Sequence, residues 1–163
     1  MKTLLLLRHA KSSWKETDLD DHDRPLNERG KRDAPRIGAL LREENLVPEY
    51  LVVSSAKRAR KTAEHVIQQC GFRGEARITG ELYEADRNKL LRIIAQLPEP
   101  LGRVLLIGHN PGLEELLESL TGRYAPLTTA ALAHVELPID VWSELAGEAR
   151  ATLVKVWQPR ELD

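Results

Sequence analysis

Arg8 and His9 stand together at the end of the run Lys2-Thr3-Leu4-Leu5-Leu6-Leu7, so a guanidinium and an imidazole are delivered to the edge of what reads as a buried strand. Two later segments share that layout. Tyr50-Leu51-Val52-Val53 runs into Ser54-Ser55 with Arg58 close behind, and Val104-Leu105-Leu106-Ile107 runs into Gly108-His109-Asn110-Pro111-Gly112. The carboxyl ends of parallel strands open on a common crevice, so groups far apart in sequence become neighbours there. Two guanidiniums and two imidazoles in one cleft suit a phosphoryl group. Arginine offers a rigid fork of donors that matches phosphate oxygens and keeps its charge at every working pH. A neutral imidazole, with an ordinary pKa of about 6.5, attacks phosphorus when nearby cations keep it unprotonated and a backbone acceptor fixes its tautomer. The competing reading is a solvated strand end. Likewise, the cluster Lys57-Arg58-Ala59-Arg60-Lys61 would be ordinary on a solvated helix face, where only Arg58 falls naturally on the first turn facing the crevice.

The elements that must position these groups follow from apolar spacing. Residues 2 to 8 read as a first strand, followed by a polar loop from Lys11 to Arg24. Asn27 is placed to cap a helix carrying Ala34, Ile37 and Leu41 on one face, and Gly30 and Gly38 mark that helix as pressed against the sheet. Tyr50 to Ser54 is a second strand, and Lys57 to Gln69 a helix with Ala59, Thr62, Ala63, Val66 and Ile67 along its apolar side. A short strand at Ala76 to Thr79, a helix ending near Pro98, a strand at Val104 to Ile107 and a helix from Gly112 to Leu120 follow. Two alternating runs, Ala131 to Leu137 and Ala151 to Trp157, read as an antiparallel pair closing the sheet. The expected fold class is α/β, a three-layer α/β/α sandwich with a mainly parallel central sheet, in one domain spanning residues 1–163.

Composition narrows the partners. The chain has 24 basic and 25 acidic residues and a formal charge of -1, so no global field favours a nucleic-acid backbone. Aromatics form 4% of the residues and are not interleaved with bases, which argues against a single-strand stacking platform. The leucine run is far shorter than the roughly 20 apolar residues that cross a bilayer. The single Cys70 excludes an internal disulfide and a thiolate metal site; it fits a reducing, cytoplasmic setting and reads as a buried face residue.

The ordered blocks Leu7-Arg8-His9-Ala10, Arg24-Pro25-Leu26-Asn27-Glu28-Arg29-Gly30, Ser54-Ser55-Ala56-Lys57-Arg58-Ala59-Arg60-Lys61-Thr62-Ala63 and Gly108-His109-Asn110 resemble the histidine phosphatase, or phosphoglycerate mutase-like, superfamily. Ala10 departs from the usual Arg-His-Gly. The small size, the short segment between Thr79 and Arg103, and His109-Asn110-Pro111 resemble the phosphohistidine phosphatase SixA subgroup in particular. The resemblance implies the phosphoglycerate mutase-like fold. It implies that His9 is the phosphorylated nucleophile, that Arg8 and Arg58 clamp the phosphoryl group and that His109 stabilises it, without metal or other cofactor. It offers Glu84 as the general acid of the larger members, with Glu81 second. Ser12, with Lys11 and Ser13, is a further candidate for phosphate contact. The activity implied is hydrolysis of phosphohistidine on a protein such as a histidine-containing phosphotransfer domain, releasing inorganic phosphate. The partners expected thus include no nucleic acid and no membrane, and the chain is expected to be a cytoplasmic monomer. A small-molecule phosphomonoesterase of the same superfamily is the alternative, and a non-catalytic phosphoprotein-binding module a more distant one. His22, His65 and His134 read as surface or packing residues, and Trp14 as a wall of the cleft or an anchor for a protein partner.

Overall fold

The computed structural model describes residues 1–145 and 150–162. Six strands form one sheet: β1 (Lys2–Arg8), β2 (Tyr50–Ser54), β3 (Glu75–Thr79), β4 (Arg103–Gly108), β5 (Leu132–Leu137) and β6 (Thr152–Trp157). Their order is β3-β2-β4-β1-β5-β6. The first four are parallel, β5 runs antiparallel to β1, and β6 antiparallel to β5. The helices are α1 (Glu28–Glu43), α2 (Lys57–Cys70), α3 (Arg87–Ala95) and α4 (Gly112–Thr121).

The unbroken apolar runs of β1, β2 and β4 are what a sheet covered on both faces requires. Because successive side chains alternate across a strand, Leu4, Leu6, Val52, Val104 and Leu106 enter the core under α3 and α4. Leu5, Leu7, Leu51, Val53, Leu105 and Ile107 enter the opposite core, under α1 and α2. The result is the expected α/β/α sandwich. The tail strands pair as their alternation predicted, with a register shift between His134 and Val135.

Asn27 caps α1 as expected, accepting from the Gly30 N–H at 2.9 Å. The expectation that Gly30 and Gly38 press α1 to the sheet is corrected. A Cβ on Gly30 would lie 2.2 Å from the Lys11 carbonyl oxygen, and one on Gly38 would lie 2.7 Å from the Val66 carbonyl oxygen on α2. The two glycines therefore admit the loop that follows β1 and a neighbouring helix, because α1 and α2 lie side by side over the same face of the sheet. Cys70 is buried at the end of α2, where burial pushes its thiol pKa up. Among the described residues, no helix is long and apolar enough to cross a membrane.

Candidate active site

β1 and β4 are hydrogen-bonded neighbours, with Arg8 paired to Gly108, so the residues that follow, His9 and His109, emerge side by side. Their ring centroids are 5.0 Å apart. The His9 N–H donates to the Gly108 carbonyl at 3.1 Å, and the Ala10 N–H donates to the Thr62 hydroxyl on α2 at 2.9 Å. That hydroxyl donates in turn to the Arg58 carbonyl at 2.7 Å. The backbone around His9 is thus pinned to the next strand and to the helix that carries Arg58.

His9 Nδ1 lies 2.8 Å from the Ala10 carbonyl oxygen. A carbonyl only accepts, so Nδ1 carries the proton and Nε2 presents a lone pair. Arg58 Nε donates to that nitrogen at 3.4 Å. Burial, reinforced by the charges of His109, Arg58 and Arg8, pushes the His9 pKa down to about 3 against the Ala10 hydrogen bond, so the imidazole is neutral at physiological pH. The same causes, burial first and then Arg58, bring His109 to about 4. His109 Nε2 pairs with the Ser54 hydroxyl at 2.7 Å. Ser54, at the end of β2, is fully buried and accepts from the Ala56 N–H. Arg8 donates to the Leu127 carbonyl at 3.0 Å, and its burial lowers its pKa.

Arg8, His9, Arg58 and His109 line a cavity of about 470 Å³ together with Ser12, Trp14, Asp21, Arg24, Glu84 and Asn110. The arrangement brings Arg8, His9, Arg58 and His109 together. The neighbouring bases separate as the helix geometry predicted: Arg60 donates back to the Ser55 carbonyl and Lys61 pairs with Glu64 on the helix surface. Ser12 lines the cleft and its hydroxyl accepts from Arg24 at 2.5 Å. Glu84 lines the mouth but is solvent-exposed, in a left-handed backbone conformation with φ of 57°. Trp14 walls the cleft, 71% exposed, with the Arg24 guanidinium 3.2 Å from its ring centroid. His22 packs edge-on against Tyr83 and bonds the Ser55 hydroxyl at 2.8 Å, so its packing role lies just behind the site wall. His134 pairs with Glu136 on β5.

Sequence reasoning missed Asp21, Arg24 and Tyr83. The Asp21 carboxylate accepts from Arg24 Nη1 at 2.9 Å, from Arg58 Nη2 at 3.1 Å and from the Tyr83 hydroxyl at 2.5 Å. These bonds, led by that of Tyr83, hold its pKa well below the usual carboxylate range, and the shared proton pushes Tyr83 up to about 12. Asp21 sits in a loop without apolar periodicity, so no spacing pointed to it. Arg24 lies within a family-like block that assigns it no role, and Tyr83 adjoins Glu84. Among the described residues no cluster of three or more His, Cys, Asp or Glu is arranged to hold a metal.

The family model of the histidine phosphatase superfamily (branch 1) matches residues 4–136. An uncharacterized protein of Mycobacterium leprae is 31% identical over 160 residues, covering 96% of this chain and 93% of the relative. An uncharacterized chloroplastic protein of Arabidopsis thaliana is 31% identical over 88% of this chain and 70% of its own length. Among solved structures, the protein histidine phosphatase SixA complexed with tungstate superposes with a TM-score of 0.85 at 25% identity, covering 99% of both chains. A candidate phosphohistidine phosphatase SixA from Agrobacterium tumefaciens gives 0.84 at 28% identity, over 97% of this chain and 98% of that one.

Proposed function

The chain belongs to the histidine phosphatase superfamily, resembles its SixA subgroup in fold and sequence, and is a phosphatase; from that premise we propose that it hydrolyses phosphohistidine on a protein, without a metal, through a phospho-His9 intermediate. The observation that carries this reading is the fixed tautomer of His9, whose Nε2 lone pair faces the cleft beside Arg58 while burial keeps the ring neutral. In the first step Nε2 attacks phosphorus as the bond from phosphorus to the substrate ring nitrogen breaks, its electrons returning to that nitrogen, and the proton carried by the other nitrogen of the substrate ring makes the leaving group a neutral imidazole. Arg8 and Arg58 balance the charge on the phosphoryl oxygens, and His109 stabilises them as a hydrogen-bond donor. In the second step water attacks phospho-His9, the P–N bond breaks with its electrons returning to Nε2, the Nδ1 proton stays on the ring, and the protons of the water leave on the released inorganic phosphate.

The phosphoramidate preference rests on the leaving group. A neutral imidazole departs with far less proton donation than an alkoxide, so the first step proceeds without a strong acid. The carboxylate bonded to Arg58, that of Asp21, is held ionised and is no proton donor at neutral pH. A histidine-containing phosphotransfer domain in the same compartment, the cytoplasm, has the required chemistry as partner. Hydrolysis of small phosphoesters is the second reading, favoured by one observation: Glu84 lines the cleft mouth, where an acid for an alkoxide would stand.

The test compares phosphate release from a phosphohistidine protein and from p-nitrophenyl phosphate, with chelator present and His9→Ala as control. Chelator-resistant turnover that favours the phosphoprotein and disappears in His9→Ala is expected. Preferential ester hydrolysis, abolished by Glu84→Gln, would replace the main reading with the second.

A further inference from the structure

Arginine can present two different pairs of N–H groups to an anion: the end of its fork, Nη1 with Nη2, or the side, Nε with Nη2. In Arg58 the end is taken. Nη1 donates to the Asp21 carbonyl oxygen at 2.7 Å and Nη2 to Asp21 Oδ2 at 3.1 Å. The side edge is the one turned to His9, with Nε 3.4 Å from His9 Nε2. Asp21 thus grips Arg58 with main chain and side chain at once. It is itself held by Arg24 Nη1, three residues further along the same loop, and by the Tyr83 hydroxyl, which reaches it from 62 residues away.

We propose that Asp21 is a positioning residue that selects the edge of Arg58 facing the reacting phosphoryl group. This deepens the phospho-His9 reading and rests on it. The reason is geometric and electrostatic. Arg58 shares the cleft with Arg8 and Arg24, so without a carboxylate at its tip the three cations repel and the guanidinium is free to turn its end toward the incoming anion. Two donors of Arg58 then move away from the oxygens they meet when phosphorus is in line with Nε2, and misplacement of about 1 Å is enough to cost up to roughly a hundredfold in rate. Tyr83 serves the same end at one remove. Its hydroxyl proton occupies one site on Asp21 Oδ2, and the ring stands edge-on to His109 at 5.6 Å, so the tether and the second histidine share one support.

The experiment is a double-mutant cycle on phosphohistidine protein turnover. Asp21→Asn keeps the shape and removes the charge; it is expected to lower kcat/KM by about tenfold or more in the otherwise native chain. In an Arg58→Lys background the same change is expected to cost less than about twofold, because an ammonium has no edge to select. Tyr83→Phe leaves both Arg58 bonds in place and should give a smaller loss that also vanishes in Arg58→Lys. Thermal melts by circular dichroism identify any variant that fails to fold, and Tyr83→Phe then carries the cycle alone. Equal losses in both backgrounds, or none in the native background, overturn the inference. If Arg58→Ala and Arg58→Lys themselves turn over normally, the inference is overturned as well, whereas normal turnover of His9→Ala is the result by which the phospho-His9 reading fails.

Discussion

His9 and His109 are bases buried beside arginines, and that placement has a measurable pH signature. Their folded pKa values, about 3 and about 4, lie below the unfolded value of about 6.5. Between these limits the unfolded chain binds protons that the folded chain refuses. The stability associated with the neutral rings is therefore complete above pH about 6.5 and is lost as pH falls toward 4 and 3, with each ring contributing a slope of up to about 1.4 kcal/mol for every pH unit. Urea unfolding at pH 7.5 and at pH 5 should show the loss, and His9→Asn should flatten it by removing the titration of the more buried ring. Parallel curves for the two proteins would show that His9 is not held neutral by the fold. The same neutrality keeps Nε2 nucleophilic well below pH 6.5. A phosphoryl dianion between the rings works the other way, raising both pKa values and allowing His109 to meet it as a donor.

The strands and helices contribute by where they end, and their junctions tolerate little added volume. Gly112 opens α4 immediately after His109-Asn110-Pro111, and a Cβ there would lie 2.1 Å from the Ala85 carbonyl oxygen. Backbone cannot yield as a flexible side chain does. Gly112→Ala must separate α4 from the segment Glu84-Ala85-Asp86, which lines the cleft beside it. A loss of about 1–3 kcal/mol is expected, together with reduced turnover. Gly71, the left-handed cap of α2, has φ of 76° and open space around its Cβ position, so Gly71→Ala should cost about 1–2 kcal/mol of backbone strain and leave turnover unchanged. Melting curves and phosphate-release assays on the pair separate the two effects. Equal turnover in both variants would show that the α4 junction does not shape the cleft.

The fold as a whole gathers Arg8, Arg24 and Arg58 around one cavity, where Asp21 pairs with Arg24 and Arg58 and the carboxylates Glu84, Asp86 and Glu115 also stand in the lining. A chain built this way is stabilised by an anion that binds only its folded form. At orthophosphate a hundredfold above its dissociation constant the gain is about 2.7 kcal/mol, which for a chain of this length raises Tm by about 5–10 °C. Arg58→Ala and His9→Ala should each shrink that shift, while Lys61→Ala, on the outer surface of α2, should leave it intact. An equal shift in all three would place the anion elsewhere. Net charge of -1 does not hinder this, since the cations act by local focusing within the cleft.

Much of this was already written in the chain. Three apolar runs each ending in polar, chemistry-bearing residues determined that β1, β2 and β4 are buried and that Arg8, Ser54 and His109 lie at one edge, because a strand covered on both faces must be continuous in apolar residues and a parallel sheet aligns its carboxyl ends. The periodicity of α2 favoured Arg58 over Arg60 and Lys61 only together with the family-like block that contains it, because the same charge cluster is ordinary on a solvated helix face. Long-range pairings were another matter. That Ser54 holds His109, that Gly38 faces α2, and that Asp21 joins Arg58 and Tyr83 depends on how distant segments fold back on one another. Loop residues carry no period, and a hydrogen bond across 37 or 62 residues leaves no local trace. Residue types and spacing therefore determined the chemistry on offer, and three-dimensional packing alone decided which nitrogen of His9 keeps its lone pair and which edge of Arg58 Asp21 occupies.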